Sequence, residues 1–211
     1  MNLLVKFFLL AAASAAVFAA EPAFAHHLMG GRTPSTFAEG LLSGLGHPLI
    51  GIDHFAAVVA VGCLAAAHRA GAALAVAFVV AMMAGVALHL HGATVPGAEL
   101  LVALSVIVLG VILLRRPQLP VSAALGLFVL VGLTHGYALG ESIYGAERSP
   151  LAAYLIGLAV IQSAVALGAM LVARALTQRT RDLVTVRLIG AGIAGVGLAV
   201  LMQQVIPAPP A

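Results

Sequence analysis

The fold class this sequence predicts is all-α: a polytopic membrane bundle of six transmembrane helices following a cleavable signal peptide. Three observations predict it. Of 211 residues, 63% are apolar and only 8% charged, against about 25% charged in a soluble domain. Apolar stretches of spanning length recur along the chain, and arginines gather in alternate connections between them. Ten Lys/Arg and seven Asp/Glu are too few to solvate a globular surface of this size. That excludes an ordinary soluble enzyme and a disordered chain. A net charge of +3 from scattered arginines reads as membrane topology rather than a nucleic-acid surface. A single cysteine, Cys63, excludes a disulfide framework and a thiolate-rich metal cluster; in mid-helix it reads as a small buried apolar residue.

Residues 1–25 carry the three parts of a secretory signal: Lys6, a short apolar run, and Ala23-Phe24-Ala25 as cleavage site. The mature chain, 26–211, then forms one domain and begins His26-His27, which can offer a metal an α-amine and imidazoles. Six spans are expected at about 48–67, 71–91, 98–114, 119–139, 151–173 and 186–206, each near the roughly 20 apolar residues a bilayer requires. Short connections predict that sequential helices lie antiparallel as neighbours. Small residues such as Gly126, Gly132, Gly157 and Gly168 let helices approach closely. The run Gly190, Gly192, Gly195, Gly197 marks the last span as scaffold.

Arginine placement gives the orientation. With the mature N-terminus outside, the inner connections hold Arg69, Arg115, Arg116, Arg174, Arg179, Arg181 and Arg187, and the outer side only Arg32 and Arg148. Cytoplasmic loops carry such an excess, so both termini are expected on the periplasmic face of a bacterial inner membrane. The signal segment independently gives the same answer.

On this topology the titratable residues sort to one side. His47, Asp53 and His54 fall at the outer start of the first span, His89 and His91 at the outer end of the second, and Glu99 at the start of the third. His135 and Glu141 flank the outer end of the fourth. Such groups are costly in hydrocarbon and usually face a cavity or a partner. In His47-Pro48-Leu49-Ile50-Gly51-Ile52-Asp53-His54, Pro48 suits the first helical position. His47 and His54 would then lie two turns apart on one face, with Asp53 as ligand or as orienter of an imidazole. Gly51 clears room for an ion. In His135-Gly136-Tyr137-Ala138-Leu139-Gly140-Glu141, the two glycines would permit unwinding that brings His135 and Glu141 inward. Donors from the first and fourth spans are expected to meet in a single pocket near the outer leaflet. Imidazole and carboxylate donors without thiolate suit Ni²⁺, Co²⁺, Zn²⁺ or Cu²⁺, and binding should weaken as pH falls through the histidine range.

At these two elements the sequence resembles the HupE/UreJ family, membrane proteins associated with nickel supply to hydrogenase and urease. The matching residues run from His47 to His54 and from His135 to Glu141, and the length, signal segment and six-span layout match as well. The resemblance implies Ni²⁺ uptake in which His47, Asp53, His54, His135 and Glu141 matter.

Two functions are weighed. The first is a secondary permease or facilitator for a divalent metal; no G-x-x-x-x-G-K-[ST] phosphate loop is present in the chain. Gln162 and Ser163 are the candidate polar residues of its inner exit path. The second is an intramembrane zinc hydrolase using the same donors, although no H-E-x-x-H motif occurs. A metal-sensing or chaperoning subunit ranks last. No prosthetic group and no nucleic acid are expected. The expected partners are the metal ion, the bilayer, and a homo-oligomeric copy or periplasmic metal donor.

Overall fold

The computed structural model describes residues 32–116, 119–178 and 183–206. The expected signal segment 1–25, His26, His27, Arg179, Arg181 and residues 207–211 lie outside the described residues.

The first span starts earlier than its hydropathy suggests. Helix α1 is Phe37–Ile50, entered through Thr36. The Thr36 hydroxyl accepts from Glu39 N at 3.2 Å, and the Glu39 carboxylate accepts from Thr36 N at 3.3 Å and from Ser35 N at 2.7 Å. This capping box satisfies amide donors that would otherwise be orphaned. Pro48 therefore stands in the last turn of α1, not at a first helical position. Lacking an N–H and crowding the carbonyl four residues back, it ends the helix within a turn. Gly51 follows, and α2 (Ile52–Ala65) departs at 76° to α1. A single helix over 48–67 is thus replaced by a broken pair over 37–65, and His47 and His54 do not share one helical face.

The remaining helices are α3 (Gly71–Leu90), α4 (Ala98–Arg115), α5 (Val121–Gly140), α6 (Arg148–Gln178) and α7 (Leu183–Val205), with a 3-10 turn at Glu141–Ile143. No strand occurs among the described residues. These five are each long and apolar enough to cross a membrane, and the broken pair supplies a sixth span when taken as one. Large apolar side chains face outward, as on α4 at Leu101, Leu104, Val108 and Val111. That spacing is one helical face, and a contiguous exposed apolar surface of this kind suits lipid.

Packing does not follow chain order. The extensive contacts pair α3 with α5, α4 with α7, and α1 and α2 with α6, whereas α3 and α4 barely touch. The expectation of sequential neighbours is therefore corrected, and the cause is where glycine lets two backbones meet. A β-carbon on Gly132 would strike Phe78 O at 2.6 Å, and one on Gly85 would lie 2.8 Å from Tyr137 N. Gly190 and Gly110 serve α4 and α7 in the same way, which agrees with a scaffold role for α7. Gly126, Gly168 and Gly192 meet nothing within 4 Å, so those three pack against no neighbour.

Helix α2 is the hub. Ten of its fourteen residues are buried, and it touches all five of the longer helices. The span from α1 into α2 runs alongside α6 in the same direction: Gly44 meets Tyr154 and Leu158, and Gly62 meets Ala166 and Ala169. The long stretch between Gly44 and Gly62 thus accompanies only the short one between Leu158 and Ala166, so the bend carries chain sideways into the bundle. Beyond α2, the Arg174 guanidinium donates to the carbonyls of His68 at 2.9 Å and Ala66 at 3.4 Å, closing off the end of that helix.

Candidate metal centre

The break delivers α2's first turn to the centre of the bundle. Asp53 and His54 occupy that turn and are buried, as is His47 in the last turn of α1. Asp53 Oδ1 accepts from the His54 backbone amide at 2.8 Å, placing a carboxylate at a helix N-terminus, where the dipole favours it. Gly51 has ordinary negative φ (−68°), so its contribution is space. A β-carbon there would lie 2.9 Å from His54 Cδ2 and 3.4 Å from Asp53 Oδ1.

From α5, His135 reaches the same point with no exposed surface. Its Nδ1 stands 2.9 Å from Nδ1 of His54, and the two ring centroids are 5.0 Å apart. The His47 ring lies 6.0 Å from that of His54. Three imidazoles, from α1, α2 and α5, are therefore gathered around His54. A third contact comes from α4: Ser105 Oγ lies 2.8 Å from His135 Nε2. Two nitrogens bound to one ion at about 2.0–2.1 Å and at right angles are about 2.9 Å apart, so the existing separation already suits a cis pair of ligands. In the structure those two nitrogens face each other, and among the described residues no group of three or more His, Cys, Asp or Glu is arranged to hold a metal ion.

The other predicted donors stand elsewhere. Glu141 is exposed in the 3-10 turn beyond α5, and α5 is regular through Gly140. The unwinding expected at Gly136 and Gly140 does not occur because both glycines receive α3. A β-carbon on Gly136 would lie 2.8 Å from Met82 Cα, and one on Gly140 would lie 2.7 Å from His89 Cβ. His91 is exposed at the end of α3. His89 is partly buried, its ring 4.7 Å from that of Tyr137 and 5.7 Å from that of Tyr144, and its Nδ1 finds no partner among the described residues. Tyr137 meanwhile donates to Ala93 O at 2.8 Å and accepts from Val95 N at 3.0 Å, tying the α3–α4 connection to α5.

Two polar groups complete the picture. Gln162 is 1% exposed, and neither atom of its carboxamide has a partner among the described residues. It lies one turn from both Leu158 and Ala166, at the level where the broken span swings away from α6. Ser105 was not singled out by sequence reasoning. Its only sequence signal is a solitary hydroxyl in the middle of an apolar span, a pattern that helix packing produces equally often.

The family model described as HupE / UreJ protein matches residues 14–200 of the chain. Protein HupE of Rhizobium leguminosarum bv. viciae is 35% identical over 123 residues, which is 57% of this chain and 62% of that protein. The chain thus spans less than two thirds of this curated relative. No solved structure matches the chain.

Proposed function

The chain belongs to the HupE/UreJ protein family, and from that premise we propose that it carries a divalent transition-metal ion, nickel before cobalt or zinc, across the cell membrane into the cytoplasm. The family is associated with nickel and cobalt transport for hydrogenase and urease. The observation that carries the reading is the buried pair of His54 and His135 with nitrogens 2.9 Å apart, set beside a broken membrane helix. Half-helix ends at membrane depth are a recurrent way to build ion sites in transporters, and neutral imidazole suits these ions.

In this reading an ion entering from the outer face replaces the proton held between the two imidazoles. His47 is the approach donor, and Asp53 supplies the compensating negative charge. Gln162 offers the next polar contact toward the cytoplasm, its carboxamide oxygen free to meet a cation. Glu141, His89 and His91 act earlier, at the outer rim, where they raise the local concentration of cations; His26 and His27 would extend that role. The gradient, not nucleotide hydrolysis, drives the movement. The inner membrane of a bacterium, with the N-terminus outside, is the setting that the arginine pattern supports.

An intramembrane zinc hydrolase using the same donors finds no support in the family membership.

Uptake of radioactive nickel into proteoliposomes tests the proposal. His54→Ala and His135→Ala should each abolish uptake while the purified variants keep wild-type helicity and elute as folded protein. Undiminished uptake in both would overturn it.

A further inference from the structure

Ser105 sits in contact with His135, and with both rings neutral a single placement of protons makes all three contacts of this chain hydrogen bonds. The Ser105 hydroxyl lies 2.7 Å from the carbonyl oxygen of Val102. A carbonyl can only accept, so the single hydroxyl proton is spent there. In that placement Ser105 meets His135 Nε2, 2.8 Å away, with an oxygen lone pair, and the proton in that contact is on Nε2. A neutral imidazole with N–H at Nε2 has a bare lone pair at Nδ1. The 2.9 Å contact between the two Nδ1 atoms then requires the proton to be on His54. The chain of donation runs His54 Nδ1–H to His135 Nδ1, His135 Nε2–H to Ser105, and Ser105 O–H to Val102.

We propose that Ser105 is a positioning residue for metal capture: by holding the proton on Nε2 of His135, it keeps Nδ1 unprotonated, as the atom that takes the ion in place of the hydrogen bond from His54. The proposal rests on the transport reading above for its metal, but its hydrogen-bond chain stands without it. Metal-ligating histidines commonly donate their second ring N–H to a fixed acceptor, which sets the tautomer and the ring orientation. Here α4 supplies that acceptor to a ring carried by α5. His54 must give up its Nδ1 proton, by moving it to Nε2 or releasing it, before both facing nitrogens can ligate. His135 needs no such change, so it is the first of the pair to bind.

Nitrogen-15 NMR of histidine-labelled, metal-free protein in lipid reads the tautomer directly, with the His135 signals assigned by their loss in His135→Asn. The expected result is a protonated Nε2 and a bare Nδ1 on His135. Ser105→Ala should leave a mixture of tautomers, and Ser105→Thr, which keeps the hydroxyl, should restore the single form. In nickel uptake, Ser105→Ala should raise the half-saturating concentration by about 10- to 100-fold, the usual cost of losing such a partner, with Ser105→Thr recovering most of it. A wild-type His135 protonated at Nδ1 overturns the proposal. So does Ser105→Ala that scrambles the tautomer yet leaves the nickel dependence unchanged. Wild-type protein that shows the expected tautomer but neither binds nor moves nickel refutes the transport reading and leaves the hydrogen-bond chain intact.

Discussion

A β-carbon placed on Gly51 lands 2.9 Å from His54 Cδ2 and 3.3 Å from the His47 carbonyl oxygen. Non-bonded carbons rest at about 3.5–4.0 Å, so in Gly51→Ala the imidazole must retreat by roughly 0.6–1 Å. The backbone there, at φ −68° and ψ 96°, is open to alanine, and removing a glycine favours folding by about 0.4–1 kcal/mol through the unfolded chain. Moving the ring disturbs its 2.9 Å contact with His135, at a net cost of up to about 0.5–1.5 kcal/mol, the worth of one hydrogen bond. The two effects nearly cancel, so the thermal midpoint in detergent should shift by only a few degrees. Nickel handling should not survive so well. A ligand pair displaced by most of an ångström is expected to lose affinity about as severely as one stripped of its supporting partner, roughly 10- to 100-fold. Uptake into proteoliposomes over a range of nickel concentrations, beside thermal unfolding of the same preparation, measures both. A variant with normal stability and a wild-type half-saturating concentration would refute the claim that Gly51 keeps space for His54.

Two further expectations use other parts of the bundle. Gly136→Ala pushes a methyl group into the Met82 backbone, which cannot swing aside, and should destabilise the protein by about 1–3 kcal/mol as overpacking does; Gly126→Ala, which meets nothing within 4 Å, should be neutral or up to about 1 kcal/mol stabilising, and thermal unfolding of the pair separates the two. Gln162→Leu removes a buried donor and acceptor that have no partner among the described residues and should leave stability unchanged or raise it by about 1–3 kcal/mol. If Gln162 is the inner polar step, the maximal rate of nickel uptake nevertheless falls several-fold; an unchanged rate would reduce the residue to a buried polar orphan.

Much of the architecture was legible because each signal is local. Five helices have the places that hydropathy assigns them, since the cost of putting a segment into lipid is a sum over that segment's own residues. The first span was misjudged for the same reason. Residues 37–47 are rich in glycine and polar groups, and only the Thr36 and Glu39 pair announced a helix start there. Pro48 was taken for a beginning when it marks an end, because a proline reads alike at either terminus until the preceding turn is seen. The glycines at 136 and 140 looked like points of weakness in the helix. They turned out to be points of contact with α3, a distinction that depends on a neighbour more than forty residues away.

From the sequence alone came the apolar spans and the residue types suited to a borderline divalent cation, because hydropathy and donor chemistry are properties of single residues and short runs. Only the tertiary structure decided which donors share a point in space. It joined His54 to His135 and left Glu141 at the rim. It also brought in Ser105, because α2, α4 and α5 meet where a 76° bend turns α2 into the bundle, and no periodicity in the chain encodes that bend.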